Sequence, residues 1–409
     1  MPRPTIARVS ASRAALLAGS VFAVVGCASG HGKYTTEGLN AAQERMAVIK
    51  SGTEWDMARQ QFLSGELRKA LASVDRSIEI NDSVAKAHSL RGRILMELGQ
   101  LESAVESFRR ALVIDPAYVE AHFFLGVLHE RFNEYDDALA EYQAASALDP
   151  SNAQYVIAAA EVLIDLGRLD AAERMLEDSA ARFEHNAGVR QTLGHLALMR
   201  GDWGRAAELF DEARLLAPDD ASVLEDLAVA QMRARNFVEA EYVLRQLMRD
   251  DERADRRDLK RLHARCLVEL DRPVEARAIL LGLTRDDEGL ADADAWIDLG
   301  QVALMLGDQQ RVRIAAARVA AIAPDRFEGP LLAALWKRMT GDIEGALASA
   351  DDAVRLAGSR DPTPLVVRGS ILKEMGRLAE AEASFVEALG VSPTDARARR
   401  MLAAVAEDQ

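Results

Sequence analysis

Short turn triplets recur along this chain at a nearly constant interval. Gly65-Glu66-Leu67, Gly99-Gln100-Leu101, Asn133-Glu134-Tyr135, Gly167-Arg168-Leu169 and Gly201-Asp202-Trp203 each lie 34 residues after the one before. Further turns follow at Arg235-Asn236-Phe237, Asp271-Arg272-Pro273, Gly307-Asp308-Gln309, Gly341-Asp342-Ile343 and Gly376-Arg377-Leu378, at spacings of 34 to 36. A period of this length belongs to small units stacked side by side, each touching only its neighbours. It argues against reading 409 residues as two or three ordinary globular domains.

The units are expected to be helical. Apolar residues make up 49% of the chain, weighted to Ala and Leu, and aromatics only 5%. Ala and Leu lead the helix scale, whereas strands favour β-branched and aromatic side chains. Inside the period, particular residues return at particular places. Gly92, Gly126, Gly194, Gly300 and Gly369 fall within first helices, where a glycine costs about 1 kcal/mol relative to alanine. A cost repeated at one position implies that a neighbour approaches closely there. Ala104, Ala138, Ala172, Ala206, Ala240, Ala276, Ala346 and Ala381 open the second helices, and Phe108, Tyr142, Phe210 and Phe385 follow one turn later on the same face. Asp115-Pro116, Asp149-Pro150, Ala217-Pro218 and Ala323-Pro324 end second helices, because proline disfavours α geometry in the residue before it.

This pattern resembles the tetratricopeptide repeat, with its large residue, Leu-Gly pair, Ala, aromatic, Ala and Pro at fixed offsets. The resemblance implies an all-α, right-handed superhelical solenoid of about ten helix-turn-helix repeats. The expected plan is a signal peptide over 1–26, a polar spacer over 27–36 and an N-terminal capping helix over 37–50. Repeats one to six would span 51–254, repeats seven to ten, irregularly spaced, 255–395, and a C-terminal capping helix 396–409, with Asp395 as its cap. The irregularity lies in two charged insertions, 249–257 and 284–294, each expected as a simple surface loop, with a local bend and partner contact as the alternative.

The first 26 residues stand apart. Arg3, Arg8 and Arg13 precede an apolar run over 14–26, too short to cross a bilayer but suited to a signal peptide. The run ends in Val24-Val25-Gly26-Cys27-Ala28, which resembles the bacterial lipobox; that resemblance implies lipidation of Cys27, and Ala28 leans towards the outer membrane. Removing three arginines and no acid would move the formal charge from −15 to −18. Cys266 is the other cysteine, so an acylated Cys27 leaves no intrachain disulfide. It is expected to be a small buried side chain.

In the resembled family the second, fifth, ninth, twelfth and thirteenth positions of each unit line a concave groove. Here they place Phe123, Val127, Ile157, Ile164, Leu198, Met199, Val229, Met232, Ile297, Leu304, Met305, Leu331, Leu335 and Met339 on an apolar stripe. Arg93, Glu97, Glu130, Arg131, Glu161, Asp165, Glu225, Arg233, Arg265, Glu269 and Arg338 lie among them. Such a stripe suits a helix or extended peptide of a protein partner. Family members that clamp a C-terminal carboxylate use Lys and Asn, where this chain has Ser89, Arg93, Phe123, Val127, Ile157 and Glu161.

Chemistry is not expected. No zinc-helix, phosphate-loop or nucleophile-elbow motif occurs in the sequence. His122 and His129 are seven residues apart, about 10 Å along a helix, and with His88 they fit large-residue slots rather than a metal site. No cofactor is implied. An acidic chain without a basic stripe does not suit nucleic acid. The expectation is a non-enzymatic, lipid-anchored scaffold of the bacterial envelope, facing the periplasm and holding protein segments. Its layout is similar to lipid-anchored repeat proteins of pilus and secretin assembly. The rival readings are an envelope hydrolase, which needs a closed acid-base pocket, and a passive spacer.

Overall fold

In the computed structural model of the protein, the described residues run from Lys33 to Asp408, and all their regular elements are helices. The expected signal peptide and Cys27 lie outside them. Among the described residues no helix is long and apolar enough to cross a membrane. The chain divides into two compact units, one ending at Leu125 and the other beginning at Gly126.

The first unit contains α1 (Lys33–Leu63), α2 (Leu67–Ile80), α3 (Ala85–Glu97), α4 (Leu101–Ile114) and the start of α5 (Val119–Arg131). The second takes the rest of α5, then α6 (Tyr135–Leu148), α7 (Ala153–Asp165), α8 (Leu169–Ala180), α9 (Ala187–Arg200), α10 (Trp203–Leu216), α11 (Ala221–Arg233) and α12 (Phe237–Leu247). It continues through α13 (Asp251–Ala254), α14 (Arg257–Glu269), α15 (Pro273–Leu283), α16 (Asp287–Leu290), α17 (Ala293–Met305) and α18 (Gln309–Ile322). It closes with α19 (Glu328–Met339), α20 (Ile343–Ala357), α21 (Thr363–Glu374), α22 (Leu378–Val391) and α23 (Ala396–Asp408). Setting aside the one-turn α13 and α16 and the final α23, the described helices form ten consecutive helix-turn-helix repeats, an all-α solenoid.

One backbone device makes all ten turns. Each first helix ends at a left-handed residue, and the next amide donates back to a carbonyl five residues earlier. Gln100 N–H to Leu95 O and Asp202 N–H to Ala197 O, both at 2.9 Å, are two instances. This pattern satisfies carbonyls that a helix end would otherwise leave bare. Glycine fills the left-handed place at seven turns, including Gly99 and Gly201, but Asn133, Arg235 and Asp271 hold it at φ 60°, 64° and 57°.

Packing within each repeat explains the helical glycines. A Cβ on Gly92 would come within 2.7 Å of the Phe108 ring, and one on Gly126 within 2.5 Å of Tyr142. Gly194 and Gly369 stand in the same relation to Phe210 and Phe385. In these four repeats the second-helix aromatic thus packs directly against bare first-helix backbone, while at Gly300 the close neighbour is Leu332 of the next repeat. The alanines that open the second helices, from Ala104 to Ala381, are fully buried. Trading side-chain bulk for close approach lets a thin, two-helix layer reach interior packing density.

Three places depart from expectation. The capping helix foreseen over 37–50 is not a separate element: it runs without a break into the first helix of repeat one as the 31-residue α1. Nothing between Ile49 and Thr53 stops it, since a lone Gly52 weakens a helix by only about 1 kcal/mol. The insertion over 284–294 is a built element rather than a plain loop. Arg257 donates to the carbonyl of Leu283 at 2.6 Å and to Asp286 and Asp292 at 3.1 Å, while the Trp296 indole donates to Gly289 O at 3.0 Å. The 249–257 insertion likewise folds a turn of helix, α13. At the far end Asp395 caps α23 by accepting from Ala398 N–H at 2.7 Å.

Candidate binding face

First helices of the second unit bring apolar and charged side chains together on one face at α11, α14, α17 and α19. Between α11, α14, α17 and α19 this face hollows into a cavity of about 750 Å³. Met232, Ile297, Leu304, Met305 and Leu331, five residues of the expected stripe, line it together with Val268 and Phe327. Met305 is 53% exposed although it is large and apolar, so nothing in the repeat itself covers it.

A ladder of ion pairs holds one wall of this cavity. Arg261 and Arg265 stand one turn apart on α14 and face Asp294 and Asp298, one turn apart on α17. Arg265 bonds both carboxylate oxygens of Asp298 at 3.0 Å, and Arg261 reaches Asp294 at 3.0 Å and Asp298 at 3.2 Å. Arg326, just before α19, joins Asp294 at 2.7 Å and Glu328 at 2.6 Å. Burial pushes the Asp298 carboxyl above the ordinary range, with its two arginines pulling the other way. Hydrogen bonding to Arg326 holds Asp294 below it. Pairs of this kind bridge neighbouring repeats and add little net stability, because desolvation of the charges offsets much of their attraction.

The other stripe residues lie elsewhere. Val127, Ile157, Ile164 and Leu198 are half-buried, and Glu161, Met199, Val229 and Arg233 are exposed, on the first helices α5, α7, α9 and α11. Arg233 lies over the Trp203 ring at 5.7 Å. Leu335 and Met339 are half-buried on α19, outside the lining of the cavity. Ile297 is the one stripe residue that is truly buried. In the first unit Phe123 meets Phe124 edge-on at 5.3 Å. Arg93 is already engaged: it bonds Glu120 at 2.8 Å and lies between the rings of Phe62 and Phe124 at 5.1 and 5.2 Å. Its cation is taken by the neighbouring repeats before any partner carboxylate arrives.

The sequence reading missed Asp294, Asp298 and Arg326. A trace was present, since two arginines and two aspartates recur at the same four-residue spacing about one period apart. The histidines behave as packing groups with hydrogen bonds: His88 Nε2 meets Asp82 O at 2.9 Å and His122 Nε2 meets Pro116 O at 3.0 Å. His129, Glu134 and Asp137 bring three donor atoms within 4.8 Å of one another, with the imidazole bonded to Glu134 at 2.6 Å. Cys266 is buried and bonds Phe237 O at 3.1 Å, and burial pushes its thiol up to about 11, far from a nucleophile at neutral pH. The arrangement as a whole is suited to binding rather than to reaction.

Sequence profiles described as tetratricopeptide repeat match residues 56–153, 131–264 and 364–395, more than half of the chain. The chain belongs to the tetratricopeptide repeat family. Solved structures similar to this repeat protein include PilW, a type IV pilus biogenesis factor, at 22% identity and a TM-score of 0.44, covering 49% of this chain and 94% of that one. PilF of Pseudomonas aeruginosa is 25% identical with a TM-score of 0.41, covering 50% and 92%. Yeast Tom70 is 15% identical with a TM-score of 0.46, covering 90% and 89%. No curated protein matches the chain.

Proposed function

We propose that this tetratricopeptide repeat protein is a non-enzymatic adaptor of the bacterial cell envelope, gripping peptide or helical segments of protein partners with its first-helix face. The observation that carries this reading is the cavity between α11 and α19. It places Met232, Ile297, Leu304 and Met305 around a hollow of a size that suits anchoring side chains. Methionine adapts to varied shapes, which fits a surface that receives a helix or strand of another protein.

The envelope part of the proposal rests on sequence. The basic residues, apolar run and Cys27 support secretion over 1–26 and a lipid anchor at Cys27, tethering the repeats to a membrane that they do not themselves cross. The outer membrane is the proposed site, with the repeats facing the periplasm.

The test is affinity capture from intact membranes by the wild-type chain and by Leu304→Asp, which sets a charge in the cavity. Proteins recovered with the wild type and lost with the variant, at equal helicity and melting temperature, support an adaptor. Equal recovery by both chains would exclude the cavity as the site. Labelled palmitate that enters the wild type but not Cys27→Ser supports the anchor, and equal labelling of both would overturn it.

A further inference from the structure

The first-helix face of the second unit neutralises its own charges in one stretch and leaves them bare in another. Across α14, α17 and α19 each inner carboxylate has an arginine: Asp294 and Asp298 take Arg261, Arg265 and Arg326, and Glu328 takes Arg326. The stretch from the end of α5 through α7 to α9 is different. Glu130, Glu161 and Asp165 interact electrostatically there, and among the described residues no Lys or Arg ion pair answers them. Glu130 accepts only from the Tyr142 hydroxyl, at 2.9 Å.

Three arginines near this stretch are engaged towards the second helices, while Arg131, next to Glu130, is exposed and makes no ion pair with these carboxylates among the described residues. Arg168 pairs with Asp136 at 3.0 Å, Arg190 with Glu212 at 2.9 Å, and Arg200 with Asp170 and Glu173 at 2.5 Å. His195, the ring nearest Glu161 on α9, is bonded to Asp226 of α11 at 2.8 Å. Partial desolvation and the neighbouring carboxylates, Glu130 first, raise Glu161 above the ordinary glutamate range although it is exposed, with His195 pulling the other way. The surroundings are apolar: Ile157, Ile164 and Leu198 are half-buried on the same helices, and Met199 stands 58% exposed at the end of α9. Like charges set on a low-dielectric wall focus their field outwards, so the face attracts positive charge.

We infer that this stretch of the face, from Glu130 on α5 to Met199 on α9, receives a basic segment of the partner, with Lys or Arg against Glu130, Glu161 and Asp165 and apolar residues against Ile157, Ile164 and Met199. The inference rests on the adaptor reading and adds a chemical class of partner to it. Charge complementarity here sets selectivity and association rate more than total affinity. The same carboxylates repel an acidic segment, so the face discriminates by repulsion as well as attraction.

The experiment titrates three fluorescent 14-residue peptides into the full-length chain in mild detergent. All have the same leucine spacing, with Lys, Gln or Glu at the intervening positions. The Lys peptide binds at least about tenfold more tightly than the Glu peptide, and this preference shrinks as salt rises. The double variant Glu130→Gln/Glu161→Gln, which keeps both side-chain shapes and an acceptor for Tyr142, weakens the Lys peptide by about fivefold and leaves the Gln peptide unchanged. Equal binding of Lys and Glu peptides, or a double variant that keeps the preference while melting no lower than wild type, overturns the inference. If the Gln peptide still binds and is displaced by Leu304→Asp or Met199→Arg in that case, the adaptor reading stands without it. If no peptide of any charge binds, both fail.

Discussion

The Phe210 ring lies against Gly194 so closely that a Cβ on the glycine would approach it to 2.8 Å. Both residues are buried, and the ring also meets His195 edge-on at 5.2 Å. Gly194→Ala therefore overfills a full layer. The gain in helix propensity offsets part of the overpacking and leaves a net loss of roughly 1–2 kcal/mol. Phe210→Ala removes the ring altogether and costs more, about 3–5 kcal/mol. Urea denaturation of the three chains checks the order.

Arg235 holds a left-handed turn, φ 64°, that glycine holds at most other turns. Its partners are weak: Glu269 at 3.8 Å and the Phe237 ring at 5.8 Å. Arg235→Gly relieves backbone strain but loosens the unfolded chain, for a net gain of about 0.5–1 kcal/mol. Gly99→Ala, at a turn with open space around it but φ 75°, goes the other way. Thermal melting of both variants reads the sign.

Gly289 admits no side chain: a Cβ there would lie 1.9 Å from the Leu283 carbonyl oxygen, which is backbone and cannot swing away. Gly289→Ala is expected to cost roughly 3 kcal/mol or more, or to undock α16 from Trp296. Hydrogen exchange distinguishes these outcomes, since undocking speeds exchange in 284–294 alone.

Glu161 gives a pH dependence of defined sign. Although the residue is exposed at the surface, partial desolvation and then Glu130 hold its folded pKa above its unfolded value, so the folded chain holds this proton more tightly. Stability from the group is therefore full at low pH and is lost as pH rises through the folded pKa. Glu161→Gln should melt higher than wild type at neutral pH, and the difference should vanish below about pH 4, where glutamate is protonated in both states. Melting curves across pH 3 to 8, as the range of the experiment, check both ends.

The turns, the buried alanines and the glycine-aromatic contacts were legible in the sequence because each is a local event that returns with the period. Gly92, Gly126 and Gly194 announced close approach before any partner ring was known. The ladder from Arg261 to Asp298 was harder to see: its partners lie 33 residues apart, and the register that joins them is set by packing between repeats. The join of 37–50 to repeat one was missed because a cap was expected where no stop signal exists. Arg93 is similar: its position was legible, but its engagement by Glu120, Phe62 and Phe124 depends on two other helices, α1 and α5.

The central claim is that partners dock on the first-helix face, and a photo-crosslinking amino acid at single sites tests it most directly. Met305, exposed in the cavity, and Tyr242, 60% exposed on the second helix α12, are compared in living cells. The account predicts a crosslinked partner band from position 305 that is absent from position 242 and lost on adding Leu304→Asp. Crosslinks of equal strength from both positions, or from position 242 alone, would contradict it.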